Sequence, residues 1–194
     1  GLREEARTLS RALSQTAPPL EIVEGKLIPA LNAVGADFEK GKAFLPQLLM
    51  SAEAAKAAFE ALGEKLEAAG GGSRGKVLIA TVQGDIHDIG KNIAKAMLEN
   101  YQYEVIDLGR DVPPERVVEQ VLLQDIRLVG LSALMTTTVT SMAETIRQLR
   151  EAAPECKLMV GGAVLTTDYA QEIGADRHVR DAMDSVHYAQ EVLG

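Results

Sequence analysis

The sequence predicts an α/β protein in two parts: a helical bundle over residues 1–67 and a five-stranded parallel α/β domain over 76–194, joined by a flexible linker at 68–75. Three observations predict it. Before residue 67 the apolar residues recur at helical spacing and no convincing strand is seen. The stretch Ala68-Ala69-Gly70-Gly71-Gly72-Ser73-Arg74-Gly75 has almost no side chain to anchor it. Beyond it, short β-branched runs alternate with helical stretches, the mark of a parallel sheet.

The first helical stripe is Leu2, Ala6, Leu9 and Leu13; the second is Leu20, Leu27, Leu31, Val34 and Phe38; the third is Leu48, Ala52, Ala55, Phe59, Leu62 and Leu66. Pro18-Pro19 and Pro46 suit boundaries or first turns, and Pro29 should kink the second helix or divide it, which gives a bundle of roughly four helices. Alanine in these stripes allows close packing but buries less area than leucine. After the linker, strands are expected over 77–82, 103–108, 128–132 and 157–160, with a weak fifth at 178–179. Helices are expected over 91–100, 114–122, 141–152, 167–173 and 183–193. Right-handed crossovers then cover both faces of the sheet and bring the loops after Val82, Leu108, Ser132 and Val160 to one edge, where open α/β sheets take ligands.

Composition narrows the partners. The 194 residues can bury a core that needs neither disulfides nor structural zinc. With 20 Lys and Arg against 28 Asp and Glu, and no basic aromatic-rich tract, nucleic acid is not expected as a partner. No run approaches the roughly 18 apolar residues of a membrane span, and Leu2-Arg3-Glu4-Glu5 carries charge where a secretory peptide would be apolar. Cys156 is the only cysteine, so there is no disulfide framework and no four-cysteine metal site. These features point to a cytoplasmic protein that engages neither nucleic acid nor membrane.

The chemistry gathers on the sheet-edge loops. Gly84-Asp85-Ile86-His87-Asp88-Ile89-Gly90 follows the first strand and places a histidine two residues from an aspartate, so that a carboxylate can orient the ring of a metal ligand. Ser132-Ala133-Leu134 leads into Met135-Thr136-Thr137-Thr138, Gly161-Gly162-Ala163 follows the fourth strand, and Arg180-Asp181-Ala182 precedes the last helix. Small residues dominate these turns, which is the lining expected if something broad and flat inserts between them. A phosphate loop and a dinucleotide fingerprint both fail on glycine spacing. His178 and His187 lack comparable support and read as surface or packing residues.

With Asp85, His87 and Gly90, then Ser132 and Leu134, then Gly161-Gly162, the chain resembles the cobalamin-binding modules of methionine synthase and the related corrinoid proteins of methyltransferase systems. The helical half resembles their cap through the segments that begin at Pro19 and at Gly41. The resemblance implies a flavodoxin- or Rossmann-like B12-binding domain that carries cobalamin, in its working form methylcobalamin, with His87 as the metal ligand to cobalt and Asp85 behind its ring. It further implies contacts to the cofactor from Gly84, Ile86, Asp88, Gly90, Ser132, Leu134, Thr136, Gly161, Gly162, Ala163 and Ala182, and from Glu24, Phe38 and Leu45 of the cap. Thr138 stands where methionine synthase completes a histidine–aspartate–serine relay, keeping the hydroxyl and adding a methyl. His87, Asp85 and Thr138 are therefore the expected catalytic group.

The function expected from this resemblance is that of a methyl carrier serving donor and acceptor methyltransferase domains or subunits, with a reductive reactivation partner. The expected assignment is the cofactor module of a methionine-synthase-type methyltransferase, which moves methyl from methyltetrahydrofolate to homocysteine. The alternatives are a corrinoid carrier of a methylamine, methanol or other methyltransferase system, and a non-enzymatic cobalamin sensor or storage protein.

Overall fold

The computed structural model describes residues 2–68 and 73–194, and the side chains of Leu20, Glu24, Glu39 and residues 64–68 lie outside that description. The chain divides into two units, Gly1–Ser73 and Arg74–Gly194.

The helical unit contains α1 (Leu2–Leu13), α2 (Pro19–Ile22), α3 (Ile28–Glu39) and α4 (Leu45–Ala68). The segment around Pro29 divides into α2 and α3 without unwinding. Pro29 has no N–H to give, and its ring presses on the carbonyl four residues back, at Gly25. The helix absorbs this in a π turn, Val23–Leu27, where the Ile28 N–H reaches the Val23 carbonyl instead. Ile22, Val23 and Leu62 form a buried cluster with Leu27, Ile28 and Phe59 against it.

Helix α1 departs from the expected stripe. Leu2, Leu9 and Leu13 are exposed, Leu9 at 63%, while Ser10 is buried. The helix packs on α4, and across the pair Arg3 meets Glu53 at 3.5 Å and Arg7 meets Glu60 at 3.0 Å. Ala57, one helical turn from each glutamate, is fully buried and small enough to let the α1 backbone come close. The side of α1 that meets its neighbour is thus the one carrying Arg3, Arg7 and Ser10.

The second unit is the expected parallel α/β domain. It runs β1 (Lys76–Thr81), α5 (Ile89–Asn100), β2 (Glu104–Asp107), α6 (Pro114–Gln124), β3 (Leu128–Ser132), α7 (Val139–Ala152), β4 (Lys157–Gly161), α8 (Thr167–Glu172), β5 (Arg177–His178) and α9 (Ala182–Leu193). The strands lie in the order β2-β1-β3-β4-β5, all parallel. The order is flavodoxin-like and reverses direction between β1 and β3, which opens a crevice at their carboxyl ends. One face of the sheet, with Leu78, Ala80, Val129, Leu131, Leu158 and Val160, forms a core with Val117, Val121, Met142, Ile146 and Leu149 of α6 and α7. Helices α5 and α9 pack on each other and on β1, β3 and β4. Half of the expected linker, residues 69–72, lies outside the described residues. Arg74 and Gly75, expected to belong to it, are instead bound into the sheet: Arg74 N donates to Gln102 O and Glu104 N to Gly75 O, each at 3.0 Å.

The placement of α1 yields a direct test by urea denaturation. Leu9→Gln should change stability by less than about 0.5 kcal/mol, as an exposed substitution does. Leu62→Ala should cost about 2–5 kcal/mol, as loss of a buried leucine does. Equal losses would restore Leu9 to the core.

Candidate functional site

The loop after β1 is shaped before it carries any chemistry. Val82 N donates to Ser132 O at 3.1 Å, so the first strand stays joined to β3 as it ends. The chain then turns through Gly84 at φ +84°, a conformation that side chains disfavour. Asp111, on the loop after β2, clasps this turn. Its carboxylate accepts the Gly84 N–H at 2.7 Å, and its own N–H donates to Asp85 O at 3.0 Å.

Asp85 has 0% of its surface exposed. Its Oδ1 accepts the His87 backbone N–H at 2.9 Å and lies 2.9 Å from His87 Nδ1. Its Oδ2 accepts the N–H groups of Leu134 at 2.7 Å and Met135 at 3.2 Å. Thr138 Oγ1 sits 2.8 Å from that oxygen and 2.8 Å from Met135 O, with one proton to offer the two acceptors. Burial alone would raise the carboxyl pKa, but the His87 and Leu134 N–H groups, the His87 ring and the Thr138 hydroxyl outweigh it and hold Asp85 well below the usual carboxylate range.

An ionised carboxylate can only accept, so the ring proton of a neutral His87 lies on Nδ1 and the lone pair on Nε2. The His87 side chain is 46% exposed, which leaves Nε2 free to face a ligand. Among the described residues no group of three or more His, Cys, Asp or Glu converges on a metal site, so a metal held at Nε2 has to bring its other ligands with it.

The strands β3 and β4 carry a row of small residues. Gly130, Ser132 and Gly161 are partly exposed although they stand on β3 and β4, inside the sheet. Gly162, at φ +141°, brings the next turn so close that a Cβ there would lie 1.7 Å from the Ala133 carbonyl oxygen. An exposed imidazole at a sheet edge whose turns carry no bulky side chains is compatible with a broad, flat ligand.

The structure joins Asp85, His87, Leu134 and Thr138 by hydrogen bonds. The methyl that threonine adds at 138 lies 3.5 Å from where a Cβ on Gly84 would be. Ile86, 60% exposed, and Leu134, 42% exposed, present apolar surface beside the histidine. Asp88 precedes α5 without capping it through its side chain, and Gly90 is an exposed residue of the first turn. Thr136 opens a 3-10 turn, Thr136–Thr138, and is exposed. Ala163 is exposed in the turn after Gly162. Ala182 begins α9 behind Asp181, whose carboxylate accepts the Met183 and Asp184 N–H groups at 2.9 Å. No described bond links Thr136, Ala163 or Ala182 to the Asp85 cluster. Phe38 and Leu45 are half-buried in the helical unit, on either side of the α3–α4 turn, and the Glu24 side chain lies outside the described residues. His178 stands on the edge strand, 3.2 Å from Thr167 Oγ1.

Sequence reasoning missed two supports. Asp111 is one, on an edge loop that carries no motif. Lys91 is the other: its buried ammonium pairs with Asp107 and reaches Gly109 O at 3.2 Å, tying the start of α5 to the end of β2. The Gly109 carbonyl also accepts the Thr81 N–H at 3.0 Å. Both contacts depend on β1 and β2 being neighbours.

Comparisons with known proteins settle the family. Two B12 binding domain models match, over residues 4–62 and 75–187. Dimethylamine corrinoid protein 1 of Methanosarcina acetivorans is 42% identical over 178 residues, 90% of this chain and 84% of that protein. A cobalamin-binding protein from Desulfitobacterium hafniense superposes with a TM-score of 0.76 at 31% identity, covering 100% of this chain and 99% of that one. The chain belongs to the B12-binding corrinoid protein family. The methanol:cobalamin methyltransferase complex of Methanosarcina barkeri also contains a matching chain, with a TM-score of 0.74 and 29% identity over 90% of this chain and 67% of that one.

These matches correct the expected methionine-synthase-type enzyme. The relatives that align over most of both chains are dimethylamine and trimethylamine corrinoid proteins, not methionine synthases. The expected links to transferase activity and methionine biosynthesis fall with it. The resemblance carried by Asp-x-His, Ser-x-Leu and Gly-Gly covers both groups, so the motif could not separate them.

The Asp85 network should appear in stability. Asp85→Asn turns an NH2 towards N–H donors in either orientation of the amide, and should cost about 2–4 kcal/mol at pH 7. Because the folded state lowers the Asp85 pKa, the wild-type stabilisation is present above the unfolded value near 3.8 and is lost as pH falls through the folded one. Urea midpoints of the two proteins should converge below about pH 4. A gap that is constant with pH would mean that the carboxylate is not held ionised.

Proposed function

We propose that the chain is a corrinoid methyl carrier of a methylamine- or methanol-type methyltransferase system, in which His87 Nε2 would be the protein's ligand to cobalt. What supports this reading is the Asp85–His87 pair on the loop after β1, whose buried carboxylate engages Nδ1 while the side chain stays 46% exposed. Cobalamin supplies a cobalt centre that takes a methyl group from one partner and yields it to another; that chemistry belongs to the cofactor.

The residues of this chain prepare the site. Asp85 holds the proton at Nδ1 and so leaves the lone pair on Nε2. Thr138 and the Leu134 and Met135 N–H groups keep that carboxylate ionised, and Asp111 fixes the turn that presents the histidine. Ile86 and Leu134 would offer the cofactor apolar surface beside the histidine, and Gly161, Gly162 and Ala163 would meet its tail without bulky side chains. The activating site for the methylated substrate is supplied by a separate methyltransferase, and a reductive partner restores oxidised cobalt. Dimethylamine is the first methyl donor to test, since corrinoid proteins bearing that name share 40–42% identity with this chain.

Electron paramagnetic resonance of the cobalt(II) protein, made with 15N-labelled histidine, should show a superhyperfine pattern altered by the label. His87→Ala should abolish that change while retaining some cofactor through the tail. A pattern blind to the label would exclude His87 as the ligand. Supplied with a dimethylamine, monomethylamine, trimethylamine or methanol methyltransferase, the loaded protein should take methyl from one of the four donors. Failure with all four would remove the carrier assignment.

A further inference from the structure

We infer that Thr81 reads the base at the end of the cofactor's tail, its hydroxyl donating to a free ring nitrogen and so selecting benzimidazole- or purine-type bases over phenolic ones. The inference rests on the proposed corrinoid site and concerns a residue outside the family motif.

Thr81 ends β1 with 0% of its surface exposed, and its Oγ1 has no hydrogen-bond partner among the described residues. The backbone is satisfied: its N–H donates to Gly109 O at 3.0 Å and its carbonyl accepts the Val112 N–H at 3.1 Å. Only the hydroxyl is unmatched. Buried polar atoms without partners are few in folded proteins, and each calls for a reason.

The position of this hydroxyl supplies one. A Cβ on Gly130 would lie 3.0 Å from Met159 Cε and 3.3 Å from Ile79 Cγ2, so residues 79, 130 and 159 share one face of the sheet. Two residues further along each strand, Thr81, Ser132 and Gly161 share it as well, in direct register. This is the face opposite the Leu78, Val129 and Leu158 core. Towards the carboxyl edge it therefore changes from Ile79 and Met159 to a hydroxyl, a hydroxymethyl and a bare α-carbon. The partly exposed Ser132 and Gly161 form the way in, and the buried Thr81 hydroxyl stands at its inner side.

A flat heteroaromatic base entering past Ser132 would lie on apolar side chains and bring a ring nitrogen to the orphaned hydroxyl. A phenolic base of the same outline has no such nitrogen and leaves the hydroxyl without a partner, which is the situation in which buried donors discriminate most. Ser132 is open to water and loses little when unpaired. Selectivity therefore falls to Thr81.

The test measures dissociation constants for cobalamin, a cobamide with a phenolic base, and cobinamide, which has no base, on wild type, Thr81→Val and Thr81→Ser. Valine keeps the shape and removes the hydroxyl; urea midpoints verify folding. Wild type should favour cobalamin over the phenolic cobamide by about tenfold. Thr81→Val should weaken cobalamin by a similar factor, leave the other two within about twofold, and so abolish the preference. Thr81→Ser should retain it. If Thr81→Val weakens all three ligands equally, or none, Thr81 does not read the base, and Thr81→Ser losing the preference would lead to the same conclusion. If wild type binds none of them, the corrinoid reading itself falls.

Discussion

The carboxylate of Asp85 is where the loops of this site meet. It is closed to solvent, yet it remains ionised because the His87, Leu134 and Met135 N–H groups and the Thr138 hydroxyl converge on its two oxygens. Removing a carboxylate from water costs several kcal/mol, and hydrogen bonds to a charged group return about 1.5–3 kcal/mol each. The charge is tolerated only while the loops after β1 and β3 stay in register. The same atoms that orient the histidine therefore also hold the crevice between those strands in shape.

That constraint divides the work among the surrounding residues. Asp111 and Lys91 act from the β2 side, one clasping the turn before Asp85 and the other joining α5 to Asp107 and Gly109. Gly162 acts from the β4 side, where the Ala133 carbonyl leaves no room for a side chain. Between them the histidine keeps one nitrogen tied and the other exposed, and the β3–β4 floor stays shallow. The proposed cobalamin, which would bring most of its own metal ligands, is compatible with this arrangement.

Much of this was legible in the chain itself. The βα alternation gave the sheet, because buried parallel strands need β-branched runs and the helices between them keep their own period. The Asp85–His87 pair was legible because both residues sit on one loop, two positions apart. The bonds to Leu134, Met135 and Thr138 were not derivable from spacing, since they require β1 and β3 to be neighbours, and Asp111 needs β2 on the other side. Helix α1 shows a different limit: periodicity marks a leucine stripe but does not say where the neighbour lies, and the ion pairs of Arg3 and Arg7 with α4 place it elsewhere. Pro29 marked a disturbance, and the π turn that absorbs it depends on backbone pairing that composition does not reveal. The preference for methionine synthase failed because the three-part motif is common to both groups of the resemblance and carries no record of the methyl donor.

The central claim is that Asp85 sets the His87 tautomer and so readies Nε2 for cobalt. Nitrogen-15 NMR of the protein without cofactor, with labelled histidine and at a pH where the ring is neutral, observes this directly. The account predicts a protonated Nδ1 and a bare Nε2 for His87, and a proton found on Nε2 would contradict it.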